Sequence, residues 1–175
     1  PFEQVYNYPD IGVAVSYYDY ASDWLGKSVG LIAFSDFYLV RARTWGVLAR
    51  IGTGFGYHTN PYDKETNNKN VAVGSPVTFA MQARLGLNIS LTDRLTLNNY
   101  LTMTHFSAAA FDQPNMGINN VSANFGLSYR LTPEKPDYKK DKESFTYSRK
   151  IYSNLRVGYA LKEAWVIGGP KFPVY

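Results

Sequence analysis

Residues 71–91 read VAVGSPVTFAMQARLGLNISL, and their side chains alternate with a period of two along the whole stretch. Successive side chains of a β-strand point to opposite faces of the sheet, so this alternation predicts a strand rather than a helix. The predicted strand is much longer than the about 5–6 residues that are usual in soluble proteins. One of its faces carries small or polar residues, and the other, mainly apolar, carries Val71, Val73, Ser75, Val77, Phe79, Met81, Ala83, Leu85, Leu87, Ile89 and Leu91.

The same alternation recurs along the rest of the chain. It predicts strands near residues 11–20, 27–40, 44–58, 71–91, 94–107, 119–132 and 149–162. No linker divides them, so we predict one domain over residues 1–175.

The number of predicted strands raises a question about the ends of the chain. Single-chain bacterial barrels close with an even number of strands, whereas the pattern predicts seven. Either one strand near the termini escapes the pattern, or the chain is an excerpt of a longer one. The Gly-Gly-Pro of the tail AWVIGGPKFPVY (164–175) argues against a long central strand there.

The direction of the apolar face separates two architectures. In a soluble β-sandwich that face would form the core, and the polar face would meet water. In a membrane barrel each strand needs about 9–11 residues, and its apolar side chains point outward to lipid. The long strands and the small polar residues of the opposite face favour an all-β fold, a small antiparallel transmembrane β-barrel of about eight strands. Long and short connections alternate, which is typical of barrels with long external loops and short periplasmic turns.

Composition restricts the classes of function. The chain has no cysteine, which excludes disulfide frameworks, thiolate metal sites and thiol nucleophiles. Its formal net charge of +4 is modest and does not by itself indicate nucleic-acid binding. Of its two histidines, His58 has the parity of the inward face, so we expect it to be structural. We therefore expect no metal, no cofactor and no nucleic-acid partner.

The segment LTMTHFSAAAFDQPNMGINN (101–120) places two reactive side chains on an apolar strand face. His105 and Ser107 follow Leu101 and Met103 at positions of the same parity. The strand rise separates residues i and i+2 by roughly 7 Å, and side chains that lean together can close that gap. Since imidazole titrates near neutral pH, His105 could serve as the base for a Ser107 nucleophile. On spacing alone, the commoner alternative is a pair of ordinary strand-end residues.

Further residues around this pair carry a family resemblance. THFS (104–107) followed by QPNMGIN (113–119) resembles the lipid A 3-O-deacylase and acyloxyacyl hydrolase-like family of outer-membrane barrels. NNKNVAVGS (67–75) and GGPKFPVY (168–175) are also similar to segments of that family. The resemblance implies an eight-stranded barrel with a Ser-His-acid triad on its outer surface, which removes an ester-linked acyl chain from lipopolysaccharide without a metal.

The resemblance assigns roles residue by residue. It implies that Ser107 is the catalytic nucleophile, His105 its base and Asn115 a residue that helps hold the oxyanion. The acidic member falls at Asn119, which is not acidic but has the same outward parity as His105. An asparagine can orient an imidazole, although it stabilises imidazolium less than a carboxylate does. Two further positions bear on activity, since the asparagine expected after the serine is Ala108 and the loop carboxylate of Asp112 is an alternative acid.

Three functions remain open at this point. The first is an esterase of the bacterial outer membrane that acts on lipopolysaccharide, at its lipid A, or on another outer-leaflet lipid. The second is a non-catalytic barrel with a structural or partner-binding role. The third is a soluble lipocalin-like binding module. The sequence does not determine the oligomeric state, the position of the acyl chain or its preferred length.

Overall fold

A computed structural model describes residues 2–132, 138, 160–163 and 167–174. A single helical turn, α1 (Phe2–Val5), precedes the strands. The strands are β1 (Asp10–Asp19), β2 (Lys27–Arg41), β3 (Trp45–His58), β4 (Val77–Ser90), β5 (Leu95–Ser107), β6 (Ile118–Tyr129), β7 (Ala160–Glu163) and β8 (Lys171–Val174). No helix among these described residues is long and apolar enough to cross a membrane.

The first six strands form one antiparallel sheet in the order β1-β2-β3-β4-β5-β6, and β7 and β8 form a separate hairpin. The large sheet curls, as contacts between its two ends show: Tyr18 of β1 and Tyr20, just after β1, reach β5 and β6. The Tyr18 hydroxyl donates to Thr104 Oγ1 at 2.9 Å, and Asn120 Nδ2 donates to the Tyr20 hydroxyl at 3.3 Å. This all-β, curled antiparallel architecture confirms the predicted fold class of a small β-barrel.

Burial along the strands shows that the apolar face points outward and the polar face points inward. Alternate residues of β1 and β4 are exposed and apolar, and Ile11 reaches 84% exposure. The inner face carries the buried ion pair between Arg50 and Asp36, with Nε 2.6 Å from Oδ1. A lipocalin-like module keeps its apolar residues inside, so this inverted pattern argues against the soluble alternative.

Most predicted strand limits agree with the structure to within one to three residues, but the start of β4 was wrong. The alternation extends back to residue 71, whereas the strand begins at Val77. Asn70 draws the earlier residues into a loop, since its Oδ1 accepts the backbone N–H groups of Ala72 and Val73 at 3.0 and 3.3 Å. Pro76 then lacks the N–H that a continuing ladder would need.

The last predicted strand, 149–162, lies outside the described residues except at 160–162, which belong to β7. Within the described residues of the tail, 167–174, the structure has the short strand β8 and no long strand. That residues 1–175 form one domain stays a prediction.

Connections of two kinds meet at opposite ends of the sheet. Segments 20–26, 59–76 and 108–117 connect strands at one end, and the shorter segments 42–44 and 91–94 connect them at the other. Long connections are typical of the external end of outer-membrane barrels, so we call the end with the first set the external end. A cluster of buried apolar residues fills the interior at this end: Ile32, Val73, Ala80, Phe106 and Ile118.

Candidate active site

Strand β5 carries both reactive residues at its external end, and its alternation determines their direction. His105 and Ser107 point to the outer wall and are half-buried, whereas Phe106 between them is fully buried inside. The Phe106 ring packs edge-on against Tyr18 and His58, with ring centres 5.7 and 5.2 Å apart. The two candidate residues therefore lie on a strand that is fixed from within.

His105 is held by the residue directly opposite on β6. His105 and Asn119 are register partners, and His105 Nδ1 lies 2.8 Å from Asn119 Oδ1. Because an amide oxygen only accepts, this contact places the proton on Nδ1 and leaves Nε2 with a lone pair. Nε2 has no hydrogen-bond partner among the described residues. The structure thus brings His105 and Asn119 together, with the nitrogen that a base would use unoccupied.

Ser107 contacts the candidate oxyanion residue. Asn115 Nδ2 lies 3.1 Å from Ser107 Oγ, and Asn115 Oδ1 accepts the N–H of Ala108 at 2.8 Å. The Ala108 contact fixes the amide orientation with both of its polar atoms near the serine, because the Ser107 hydroxyl also donates to Asn115 Oδ1 at 3.2 Å. The N–H of Ala109 also donates to Ser107 Oγ, at 3.1 Å. Among the described residues Ser107 makes no hydrogen bond to His105, so the structure does not bring the predicted nucleophile and base into contact.

The loop after Ser107 has an unusual backbone. Ala109 and Ala110 have φ values of 51° and 61°, in the left-handed region that alanine rarely adopts. Such strain persists where surrounding contacts hold it, and it is frequent next to functional groups. Here it turns the Ala109 N–H back toward the serine oxygen.

The alternative acid Asp112 is engaged elsewhere. Its Oδ1 lies 2.8 Å from Lys171 Nζ on β8, in a partly exposed ion pair. No hydrogen bond joins Asp112 to His105 within the described part of the chain. Asn119 therefore occupies the orienting position at the imidazole, and Asp112 does not.

Sequence reasoning assigned no role to Gly117, which the structure places against the imidazole. A Cβ atom at this position would lie 2.8 Å from His105 Cε1 and 3.0 Å from the Phe106 carbonyl oxygen. Its φ of +76° also favours glycine. The only sequence signal was its place in the motif QPNMGIN.

An apolar groove of about 520 Å³ lies on the outer wall next to the serine. Phe79, the register partner of Ser107, is one of its walls. Its volume falls in the range of ordinary small-molecule sites, which are mainly apolar with a few polar groups. The lining residues are Phe55, Ser75, Val77, Thr78, Phe79, Ala108, Ala109, Phe111, Asp112 and Leu161.

The other histidine lies inside, as its parity indicated. His58 is fully buried, and its ring nitrogens lie 2.6 Å from Ser28 Oγ and 2.8 Å from Thr78 Oγ1. Both nitrogens are satisfied and no solvent reaches them, which fits a structural role. No group of three or more His, Cys, Asp or Glu side chains in the described segments could hold a metal ion.

A known protein family matches most of this chain. The family model described as "Lipid A 3-O-deacylase (PagL)" matches residues 1–128, which include β1–β5 and the His105–Asn119 region. No curated protein and no solved structure matches the chain. Since the family match covers well over half of the 175 residues, the chain belongs to the lipid A 3-O-deacylase family of bacterial outer-membrane proteins.

Proposed function

We propose that this protein is an outer-membrane serine esterase that removes an ester-linked acyl chain from lipid A. The observation that carries the proposal is the hydrogen bond from His105 Nδ1 to Asn119 Oδ1 on the lipid-facing wall. It orients an imidazole two residues from Ser107 with Nε2 unoccupied. A substrate that reaches this wall is already in the membrane, which fits the acyl ester of an outer-leaflet lipid.

The proposed reaction proceeds through an acyl-enzyme. Ser107 Oγ attacks the ester carbonyl carbon while its proton passes to His105 Nε2. The carbonyl oxygen becomes an oxyanion, which Asn115 Nδ2 stabilises as a donor. The intermediate then collapses, and the imidazolium protonates the departing sugar oxygen. Water, deprotonated by His105, hydrolyses the acyl-serine and releases a fatty acid.

The arrangement requires a modest side-chain movement before the first step. His105 and Ser107 share one strand face, and a substrate between them and the groove would displace the Ser107–Asn115 hydrogen bonds. Catalytic hydrogen bonds often form only in the substrate complex. The groove beside Ser107, with its phenylalanine walls, is the proposed place for the acyl chain.

A non-catalytic barrel is the second candidate. The observation that favours it is the neutral amide of Asn119 at the position where the family pattern carries an acid. In the serine-protease triad, replacing the aspartate by asparagine costs about 10⁴ in kcat. That loss is large, although the residual acceleration over water in such a site remains measurable.

The decisive experiment is mass spectrometry of lipopolysaccharide incubated with the purified protein in detergent. We expect loss of one acyl chain with the wild type, and no loss with Ser107→Ala or His105→Ala, whose heat-modifiable folding should be unchanged. Ser90→Ala is the matched control, because Ser90 is exposed at the opposite end of the barrel. Unmodified lipid A after prolonged incubation with wild type would favour the non-catalytic barrel, and an active Ser107→Ala would exclude Ser107 as the nucleophile.

A further inference from the structure

We propose that Glu163 is a positioning residue for ester hydrolysis, because its carboxylate holds the loop that presents Asn115 to Ser107. Glu163 lies on β7, beyond the residues 1–128 that match the family model. The inference rests on the proposed function and adds to it a residue that does not touch the substrate.

Three hydrogen bonds connect Glu163 to backbone groups of neighbouring segments. Its Oε2 accepts the N–H of Gln113 at 2.5 Å, and its Oε1 accepts the N–H of Gly168 at 2.8 Å. Its own N–H donates to the carbonyl oxygen of Ala110 at 3.1 Å. Glu163 is thus bonded to both halves of the 108–117 loop and to the turn of its own hairpin.

Asn115 is fixed from both sides as a result. Gln113, two residues before it, is held by Glu163, and Met116, directly after it, donates its N–H to the Val71 carbonyl at 3.3 Å. The loop is therefore clamped between the β7–β8 hairpin and the segment that precedes β4. These backbone hydrogen bonds therefore help to place the Asn115 amide near Ser107 Oγ.

The two hydrogen bonds to the Glu163 side chain need two acceptor oxygens, which a carboxylate provides. The residue is only 6% exposed, and a buried carboxylate is costly unless its oxygens accept hydrogen bonds. Both oxygens accept from backbone N–H groups. Glutamine has the same shape but replaces one acceptor by an NH₂ donor, so one of the two N–H groups would face a donor. That tether would then open, and the loop would shift.

The ion pair between the hairpin and the loop cannot replace the Glu163 carboxylate. The ion pair between Lys171 and Asp112 is partly exposed, with side-chain exposures of 35% and 31%. Ion pairs of this kind contribute little to stability. The Glu163 carboxylate therefore holds the Gln113 side of Asn115, while the Met116–Val71 hydrogen bond holds the other side.

The test compares kcat and KM for lipid A deacylation in wild type, Glu163→Gln and Glu163→Asp, each normalised to the heat-modifiable folded fraction. A misplacement of the order of 1 Å in a catalytic group costs up to about a hundredfold. We expect kcat of Glu163→Gln to fall about tenfold to a hundredfold, with KM within about twofold of wild type. Glu163→Asp keeps the acceptors on a shorter chain and should be intermediate. Glu65→Gln, in an exposed external loop, is the matched control and should be unchanged.

A double substitution shows whether Glu163 acts through Asn115. Asn115→Ala should itself lower kcat by about 10²–10³. Adding Glu163→Gln to it should cause no further loss, because the positioned group is gone. Losses that multiply, or wild-type kcat in folded Glu163→Gln, would overturn the inference. If Glu163→Gln does not fold, wild-type kcat in Glu163→Asp would overturn it. An inactive wild type would overturn the proposed function as well, whereas an active wild type with an active Glu163→Gln overturns only this inference.

Discussion

Replacing Asn119 by aspartate would place a carboxylate next to the His105 imidazole. His105 Nδ1 lies 2.8 Å from Asn119 Oδ1, and the two residues are directly opposite in the β5–β6 ladder. Aspartate has nearly the same shape as asparagine, so it can accept the same hydrogen bond without moving the imidazole. The difference is a negative charge next to the imidazolium that forms when Ser107 gives up its proton.

The size of the effect follows from that geometry. Two unit charges about 4 Å apart attract by about 4 kcal/mol at an effective dielectric constant of 20 and by about 1 kcal/mol in bulk water. Since each 1.4 kcal/mol is a factor of ten in rate, the range is about fivefold to about a thousandfold in kcat. The Asn119 side chain is exposed at the external end of the wall, so screening places the expected gain in the lower part, about 5- to 50-fold.

The assay measures kcat for a lipid ester in detergent micelles at neutral pH for wild type, Asn119→Asp and Asn119→Glu. Aspartate should give the larger gain, because glutamate must accommodate one more methylene in a contact that is already 2.8 Å long. Asn120→Asp is the matched control, as it adds the same charge on the inward face one residue away. No increase in folded Asn119→Asp would show that the contact with His105 does not assist catalysis. An equal increase in Asn120→Asp would show that the effect is not local.

Two further predictions concern the loops around the site. Gly117→Ala should lower kcat at least about tenfold, because its Cβ would lie 2.8 Å from His105 Cε1 and displace the imidazole, whereas Gly126→Ala, with no atom within 4 Å, should retain wild-type kcat; equal activities would refute the steric argument. The external loop 59–76 should loosen at low pH. The N–H groups of Thr66 and Glu65 and the Thr66 hydroxyl donate to Asp63 and hold the pKa of its carboxyl group below the ordinary value. That stabilisation is present above the ordinary value of 3.8 and is lost as pH falls through the lower folded value, so hydrogen exchange of the loop amides, corrected for the intrinsic rate, should rise there in wild type but show no such step in Asp63→Asn.

The fold was largely predictable because the strand period is a local property. Alternation located the six strands of the large sheet and their apolar outer side. The start of β4 was not predictable from period alone. Residues 71–76 alternate like a strand, but the side chain of Asn70 accepts the N–H groups of Ala72 and Val73. This competition between a side chain and the strand ladder is not visible in the apolar pattern.

In the candidate site, too, contacts between strands were predictable from the sequence and contacts between loops were not. The facing of His105 and Asn119 followed from parity together with the connection between their strands, and the structure brings them into contact. The pairing of Asp112 with Lys171 and the clamp at Glu163 join segments about fifty residues apart or more, through loops that have no period. Nothing in the sequence pattern specifies which loop residues meet, so these contacts needed the structure.

The position of the candidate site at the end of a strand has a consequence for its precision. His105 and Ser107 point to the outer wall, and the residue between them anchors the same strand from the inside. Phe106 is fully buried against Tyr18 and His58, and a Cβ at Gly56 would meet its ring at 2.5 Å. An interior packed this closely leaves the strand little freedom to shift. Groups built on such an element are held more precisely than groups on loops. The alternation that turns apolar side chains outward therefore also fixes the imidazole and the hydroxyl on the outer wall. The loop that carries Asn115 has no such strand to hold it, so it is the part of the site that needs a separate support.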